Sequence, residues 1–430
     1  MNNDPIRIGI AGLGTVGCGL ATILDENDDW IARRLGRHIR IKTVAVRDTT
    51  KTRAWTPPSD VEVTRDCFTM AEDPEIDIVV ELMGGIKTAH ELITRSIRAG
   101  KHVVTANKAL LAERGPELFA LAAEHKRGLY YEASAAGGIP IVEALKEGLA
   151  GNRISGIVGI LNGTANFILT EMADKGVCFQ DALKGAQDRG FAEADPTFDI
   201  EGIDAAHKLV VLIRLAFGQD YPLARLPVKG ISDIDPIDIE YARELGYEIK
   251  LIGRVVDEDG QLEAGVFPML VKKTYLLAQV CGSFNAVRVE GNAVGAVLFQ
   301  GKGAGARPTG SAVLADIMAL VREGSCVNNL GFDDPSLPQA NIMPPAMASR
   351  PHYFRFNVED RAGVMAALSR VMGERDISIA QAVQKGEPKN GTVPIVFLTH
   401  GAREKDVAEA LEEIGAMPFI MSPIVHLRVL

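Results

Sequence analysis

An aspartate and a lysine four residues apart, Asp204 and Lys208, share one face of a helix predicted to begin near Gly202. That face continues through Val211, Leu212 and Leu215, and the opposite side carries Ile203, Val210, Ile213 and Phe217. The helix is therefore apolar almost all round and is expected to be buried. A lysine in such a place is costly unless paired, and loss of water moves its pKa down toward a range useful for proton transfer. Asp204 is the obvious partner. Just upstream, Glu193, Asp195 and Asp199 crowd carboxylates around a proline turn, which suits a ligand carrying an ammonium group. An ordinary ion pair beside a solvated acidic loop would have the same spacing.

A second constellation stands at the front of the chain. IRIGIAGLGTVG places Gly12, Gly14 and Gly17 directly after an apolar strand, with Leu13, Thr15 and Val16 between them. In this pattern the first glycine allows a tight turn, the second lets the backbone approach a pyrophosphate, and the third lets helix pack on strand. The helix that opens here directs unpaired amides at the phosphates. The second strand ends in Val46-Arg47-Asp48. An aspartate at this place suits the ribose hydroxyls of NAD and an arginine the extra phosphate of NADP. Arg47 comes first, so NADP is expected with NAD tolerated.

These residues need a frame. From Ile6 to about Pro140, apolar runs at Ile6–Ala11, Ile41–Val46, Ile78–Leu82, His102–Thr105 and Leu129–Glu132 alternate with helical stretches such as Thr88–Ala99 and Pro116–Lys126. That alternation predicts an α/β fold with a doubly wound parallel sheet of the Rossmann type. The expected organisation is a dinucleotide-binding domain over 1–140 plus about 301–332, and an α+β substrate-binding and dimerisation domain over 141–300. The second part of the first domain begins with the glycine-rich loop GKGAGARPTGSAV, Gly301 to Val313, running into a helix through Val321. A linker follows at 333–351, punctuated by Pro335, Pro338, Pro344 and Pro345. The last segment, 352–430, runs strand–helix–strand–strand–helix–strand: Tyr353–Val358, Gly363–Glu374, Ser378–Gln384, Val393–Thr399, Glu404–Ile414 and Ile424–Val429. That order fits a ferredoxin-like domain.

Composition narrows the function. With 430 residues, 47% apolar and 24% charged, the chain is long enough for two or three packed domains. A net charge of -10 argues against recruitment to nucleic acid or an anionic membrane, though one local basic pocket is compatible with it. Cys18, Cys67, Cys178, Cys281 and Cys326 are scattered and odd in number, without a CxxC pair, so free thiols in a reducing cytoplasm are expected. The opening MNNDPIRIGI shows no basic stretch before an apolar run, and no uninterrupted apolar run reaches spanning length, so neither a leader nor a membrane span is expected.

AQDRGFAEADPTFDIEGIDAAHK, beginning at Ala186, resembles the signature of the homoserine dehydrogenases. GLGTVG at Gly12, ELMGG at Glu81, TANKALL at Thr105, YEASAAGGIPI at Tyr131, LNGTAN at Leu161 and GKGAGARPT at Gly301 resemble that family in the same order. The resemblance implies NAD(P)H-dependent reduction of L-aspartate 4-semialdehyde to L-homoserine, on the route to threonine and methionine. It implies that Lys208 is the acid–base lysine, that Lys108 is a second lysine near the nicotinamide, and that Glu193, Asp199 and Asp204 bind substrate. It places Gly303 and Gly305 beside the cofactor, with Gly12 to Gly17, Arg47 and Thr105. It also implies a monovalent cation, usually sodium, on carbonyl oxygens of Glu132, Ala135, Gly137 and Ile139. The opening Tyr353-Phe354-Arg355-Phe356, followed by Val358 to Val364, resembles an ACT domain, although Ala362 stands where that pattern has proline. An amino-acid effector, threonine, and a homodimer or homotetramer are expected from it. Another Rossmann oxidoreductase would lack the Glu193-to-Lys208 pattern, and a catalytically inactive ACT-type sensor would have lost Lys208 or Glu193; both are intact.

Overall fold

The computed structural model describes residues 4–324, 328–334, 336–385 and 391–430, so Cys326 and Pro335 lie outside the described residues. The chain forms two compact units. The first is Met1–Gly163 with Ile203–Leu226 and Ser283–Ala340, and the second is Thr164–Gly202 with Pro227–Gly282 and Asn341–Leu430.

In the first unit, six short strands make one parallel sheet: β1 (Ile6–Ala11), β2 (Ile39–Ala45), β3 (Glu62–Thr64), β4 (Ile78–Glu81), β5 (His102–Thr105) and β6 (Leu129–Tyr130). Their order is β3-β2-β1-β4-β5-β6, so the order reverses beside β1. Ligands of such sheets sit at the carboxyl ends of the strands next to that reversal. All four residues of β4 are buried, as are Val103, Val104 and Thr105 in β5, because helices cover both faces.

Four helices matter for the site. Helix α1 (Thr15–Glu26) follows β1, α2 (Lys108–Glu124) follows β5, α3 (Ile203–Phe217) carries the buried lysine, and α4 (Ala306–Glu323) follows the second glycine loop. The sequence pattern started α2 at Pro116, but the helix begins eight residues earlier. Asn107 caps it, its side chain accepting from Leu110 N, and Pro116 sits inside. Proline has no N–H and leaves the carbonyl four residues back without its helical partner. Arg214 on α3 supplies a substitute: its Nη2 donates to Ala112 O at 2.9 Å and its Nη1 to Leu111 O. Helices α1 and α4 cross closely, since a Cβ on Gly19 would lie 2.0 Å from Ala306 O.

In the second unit, strands Tyr247–Glu258 and Gln261–Lys272 form a long antiparallel hairpin. The segment from His352 folds as the ferredoxin-like pattern predicts, with strands His352–Glu359, Ile379–Gln384, Thr392–Thr399 and Val425–Val429, and helices Val364–Gly373 and Glu404–Gly415. The final strand lies beside the first, and its Arg428 and Val429 pair in parallel with Met269 and Leu270 of the hairpin. Phe354, Phe356, Leu368, Val371, Phe397 and Ala410 are among the residues of its core. The stretch before it pairs at two points, Leu262 with Ile342 and Ser349 with Arg403, with the short 3-10 turn Pro345–Met347 between them. No helix among the described residues is long and apolar enough to cross a membrane.

Candidate active site

The site is built from backbone turns first. Gly12 ends β1 with φ +104, and a Cβ there would lie 2.7 Å from Leu82 O, so only glycine closes this turn against the end of β4. A Cβ on Gly17 would lie 2.3 Å from Gly12 O, whereas Gly14 faces nothing within 4 Å. Leu13 is buried, and Gly14 and Thr15 are exposed at the start of α1, whose first turn holds no acidic residue. An open glycine at the positive end of a twelve-residue helix leaves room and polarity for a phosphate group. Arg47 is exposed after β2. The neighbouring Asp48 carboxylate is committed to its own loop, accepting from Thr50 N at 2.8 Å and Thr50 Oγ1 at 2.7 Å.

Three charged side chains converge at the start of α3. Asp204 is 4% exposed; its Oδ2 accepts from Lys208 Nζ at 2.6 Å and Asn162 Nδ2 at 2.9 Å, and its Oδ1 lies 3.0 Å from Lys108 Nζ. Burial alone would raise the Asp204 pKa, but the ammonium groups of Lys208 and Lys108 outweigh it and hold the carboxyl well below the usual range. Lys208 is 8% exposed and also donates to Leu161 O at 2.8 Å. The Asn285 amide donates to the same carbonyl at 2.9 Å. Lys108, the first residue of α2, is about one-third exposed. Two ammoniums around one carboxylate leave a net positive charge, which suits an oxygen that becomes negative during reaction.

Glu81 and Thr105, register partners at the ends of β4 and β5, are both fully buried. The Thr105 hydroxyl donates to Glu81 Oε2 at 2.7 Å. Glu132 is buried after β6, and its carboxylate accepts from Val142 N at 3.0 Å and Glu143 N at 2.7 Å. Burial pushes its pKa up to about 7 despite those bonds. Asp316 of α4, which accepts from Glu132 N at 2.8 Å, is raised by burial and then by Glu132 itself. Between Ala135 and Ile139, Ala136 and Gly137 both take positive φ, and a Cβ on Gly137 would lie 2.2 Å from Gly303 O. Gly305 caps α4.

Of the residues singled out in the sequence, the structure brings together Lys108, Asp204 and Lys208. Glu193 and Asp199 belong to the second unit, Glu193 exposed in the loop after helix Phe179–Asp188 and Asp199 half-buried in the short helix Thr197–Ile200. Sequence reasoning missed Asn162, Asn285 and Glu81. Glu81 carried a signal, an acidic residue closing a strand that is otherwise wholly apolar; the two asparagines did not.

Family models described as "Homoserine dehydrogenase, NAD binding domain", "Homoserine dehydrogenase" and "ACT domain" match residues 12–132, 140–318 and 352–419. Homoserine dehydrogenases of Pseudomonas aeruginosa and Neisseria gonorrhoeae are each 43% identical, covering 99% of this chain and 99% and 98% of their own lengths. The crystal structure of a homoserine dehydrogenase from Thiobacillus denitrificans superposes with a TM-score of 0.95 at 44% identity, covering 100% of this chain and 99% of that one. A hyperthermophilic archaeal homoserine dehydrogenase in complex with NADPH superposes with a TM-score of 0.63 at 28% identity, over 76% of this chain and 99% of its own. Fold, paired lysines and relatives agree: this chain belongs to the homoserine dehydrogenase family.

Proposed function

We propose that the chain catalyses the reversible NAD(P)H-dependent reduction of L-aspartate 4-semialdehyde to L-homoserine. The observation that carries this reading is the Lys108–Asp204–Lys208 trio, with Asp204 and Lys208 buried, linked to the carboxyl ends of β4 and β5 beside the glycine turn. When bound, NAD(P)H supplies the hydride to the aldehyde carbon. The former carbonyl oxygen then takes up negative charge. Lys208 is assigned the proton for that oxygen, and Lys108 the stabilisation of its charge. Asp204 holds both amines in place. By the signature, Glu193 and Asp199 join Asp204 in holding the substrate ammonium.

Residues 12 to 17, Thr105, Lys108, Gly303 and Gly305 are assigned to the cofactor, and the exposed Arg47 favours NADPH over NADH. The buried Glu132 and Asp316, which meet where Asp316 accepts from Glu132 N, fit a monovalent cation on the carbonyls of Glu132, Ala135, Gly137 and Ile139; such an ion would stiffen that turn. Residues 1–140 with about 301–332 serve the cofactor, 141–300 substrate and pairing of subunits, and 352–430, after the linker, binding of an amino-acid effector, threonine. A cytoplasmic homodimer or homotetramer is the assembly that fits these roles.

The test is oxidation of NADPH by the purified chain with aspartate semialdehyde. Lys208→Ala is expected to lose at least about a hundredfold in turnover, the scale of a missing general acid. Full activity in that variant overturns the assignment. Arg47→Ala is expected to raise KM for NADPH and leave KM for NADH nearly unchanged; an equal effect on both removes the NADP preference.

A further inference from the structure

Lys108 has a long side chain on the first turn of a helix, and its amine must be held within a few tenths of an ångström to act on a developing charge. The restraint begins at Glu81, which lies one strand away and has no exposed surface. Its carboxylate accepts from Met83 N at 2.8 Å and Gly84 N at 3.3 Å on one side, and from the Thr105 hydroxyl at 2.7 Å on the other. The Thr105 oxygen in turn accepts from Asn107 N at 3.1 Å. Asn107 caps α2 through Leu110 N, and its Nδ2 donates to Gly85 O at 2.6 Å. The residue just before Lys108 is therefore fixed by main chain, by side-chain amide and by cap at once. On the other side, the Leu82–Met83 backbone that leads into this loop is the surface against which Gly12 turns.

We propose that Glu81 is a positioning residue for the reaction, a buried carboxylate that ties the dinucleotide turn at Gly12 to the Lys108 amine through Thr105 and Asn107. Glu81 touches neither substrate nor cofactor. It sets where Lys108 stands relative to the glycine turn, and so relative to the reacting carbonyl. The inference rests on the role of Lys108 given above.

The test is a double-mutant cycle on the whole chain, read by steady-state kinetics of semialdehyde reduction. Gln at position 81 turns one acceptor into a donor facing donors, and Glu81→Gln is expected to lower kcat about tenfold or more while KM for NADPH changes less than about threefold. Thr105→Val should share that loss in kcat, and adding Glu81→Gln to it should cost little more, because both substitutions break the same link. In a Lys108→Ala background, Glu81→Gln should cost almost nothing further, because the group it positions is gone. Additive losses, a fall confined to thermal stability, or a Glu81→Gln enzyme with wild-type kcat would each overturn the proposal. A Lys108→Ala enzyme of wild-type activity would show instead that the role of Lys108 had failed, taking the inference with it.

Discussion

Asp204 is the residue on which the charges of the site balance. It accepts from Lys208 and Asn162 and pairs with Lys108 at 4% exposure, so removing its charge takes a buried counter-charge from two ammoniums. Asp204→Asn is expected to lower unfolding free energy by about 3–5 kcal/mol, the scale for breaking a buried pair from one side, as read by urea titration. The pH dependence has a definite sign. The folded pKa lies below the unfolded one, so the stabilisation is present above about pH 4 and is lost as pH falls. The variant should show a shallower acid limb than wild type; an identical limb would mean that this carboxylate is not paired in solution. This pair was legible in the sequence because four residues on an apolar helix leave a spacing that can be counted. Asn162 and Asn285 were not, since they meet Asp204 and Leu161 across 42 and 124 residues. Glu193→Gln belongs to this scale too: if its charge holds the substrate ammonium, KM for the semialdehyde rises about tenfold or more with a smaller change in kcat, and an unchanged KM removes it from the site.

At the scale of elements, the turn from β6 to the loop before α4 shows how a strand end can hold strain of charge. Glu132 caps the helical turn at Ile141–Glu143, and Asp316 of α4 closes on Glu132 N, so two carboxylates share one buried volume. Between pH 4.5 and about 7 the unfolded chain has released the Glu132 proton while the folded chain keeps it. Stability therefore falls as pH rises through that window, by at most about 3 kcal/mol. Glu132→Gln should flatten the thermal midpoint across the window. Sodium chloride should raise the wild-type midpoint above pH 7 more than tetramethylammonium chloride does at equal ionic strength. Equal midpoints in the two salts would remove the cation from this turn. Helix and strand order were readable from periodicity, and β1 and β5 fell where the apolar runs place them. The start of α2 was not, because Pro116 reads as a beginning. What lets the helix run through it is a guanidinium from α3, nearly a hundred residues on.

At the scale of the molecule, the C-terminal domain is fastened to its own unit rather than hung from it. The last strand pairs with the hairpin at Met269 and Leu270. Asp238, with no exposed surface in helix Pro236–Glu244, accepts from Arg355 at 2.7 and 2.9 Å and from the Tyr353 hydroxyl at 2.8 Å, both on the first strand of that domain. The strand order of this domain was open to reading, whereas its fastening was not: nothing in Tyr353-Phe354-Arg355 says that two of its side chains will meet at one aspartate more than a hundred residues back. The first strand is thereby tied to helix Pro236–Glu244, which leads into the hairpin. If threonine is the effector, millimolar threonine should slow semialdehyde reduction, with a coupling of about five- to a hundredfold in affinity between effector and substrate. Tyr353→Phe deletes one hydrogen bond and keeps the ion pair, at a cost to stability of about 1–2 kcal/mol. It should therefore leave threonine binding intact by calorimetry and weaken the inhibition that binding produces. Binding and inhibition lost in equal measure would assign Tyr353 to the ligand site, and inhibition unchanged would mean that the signal leaves this domain by another route.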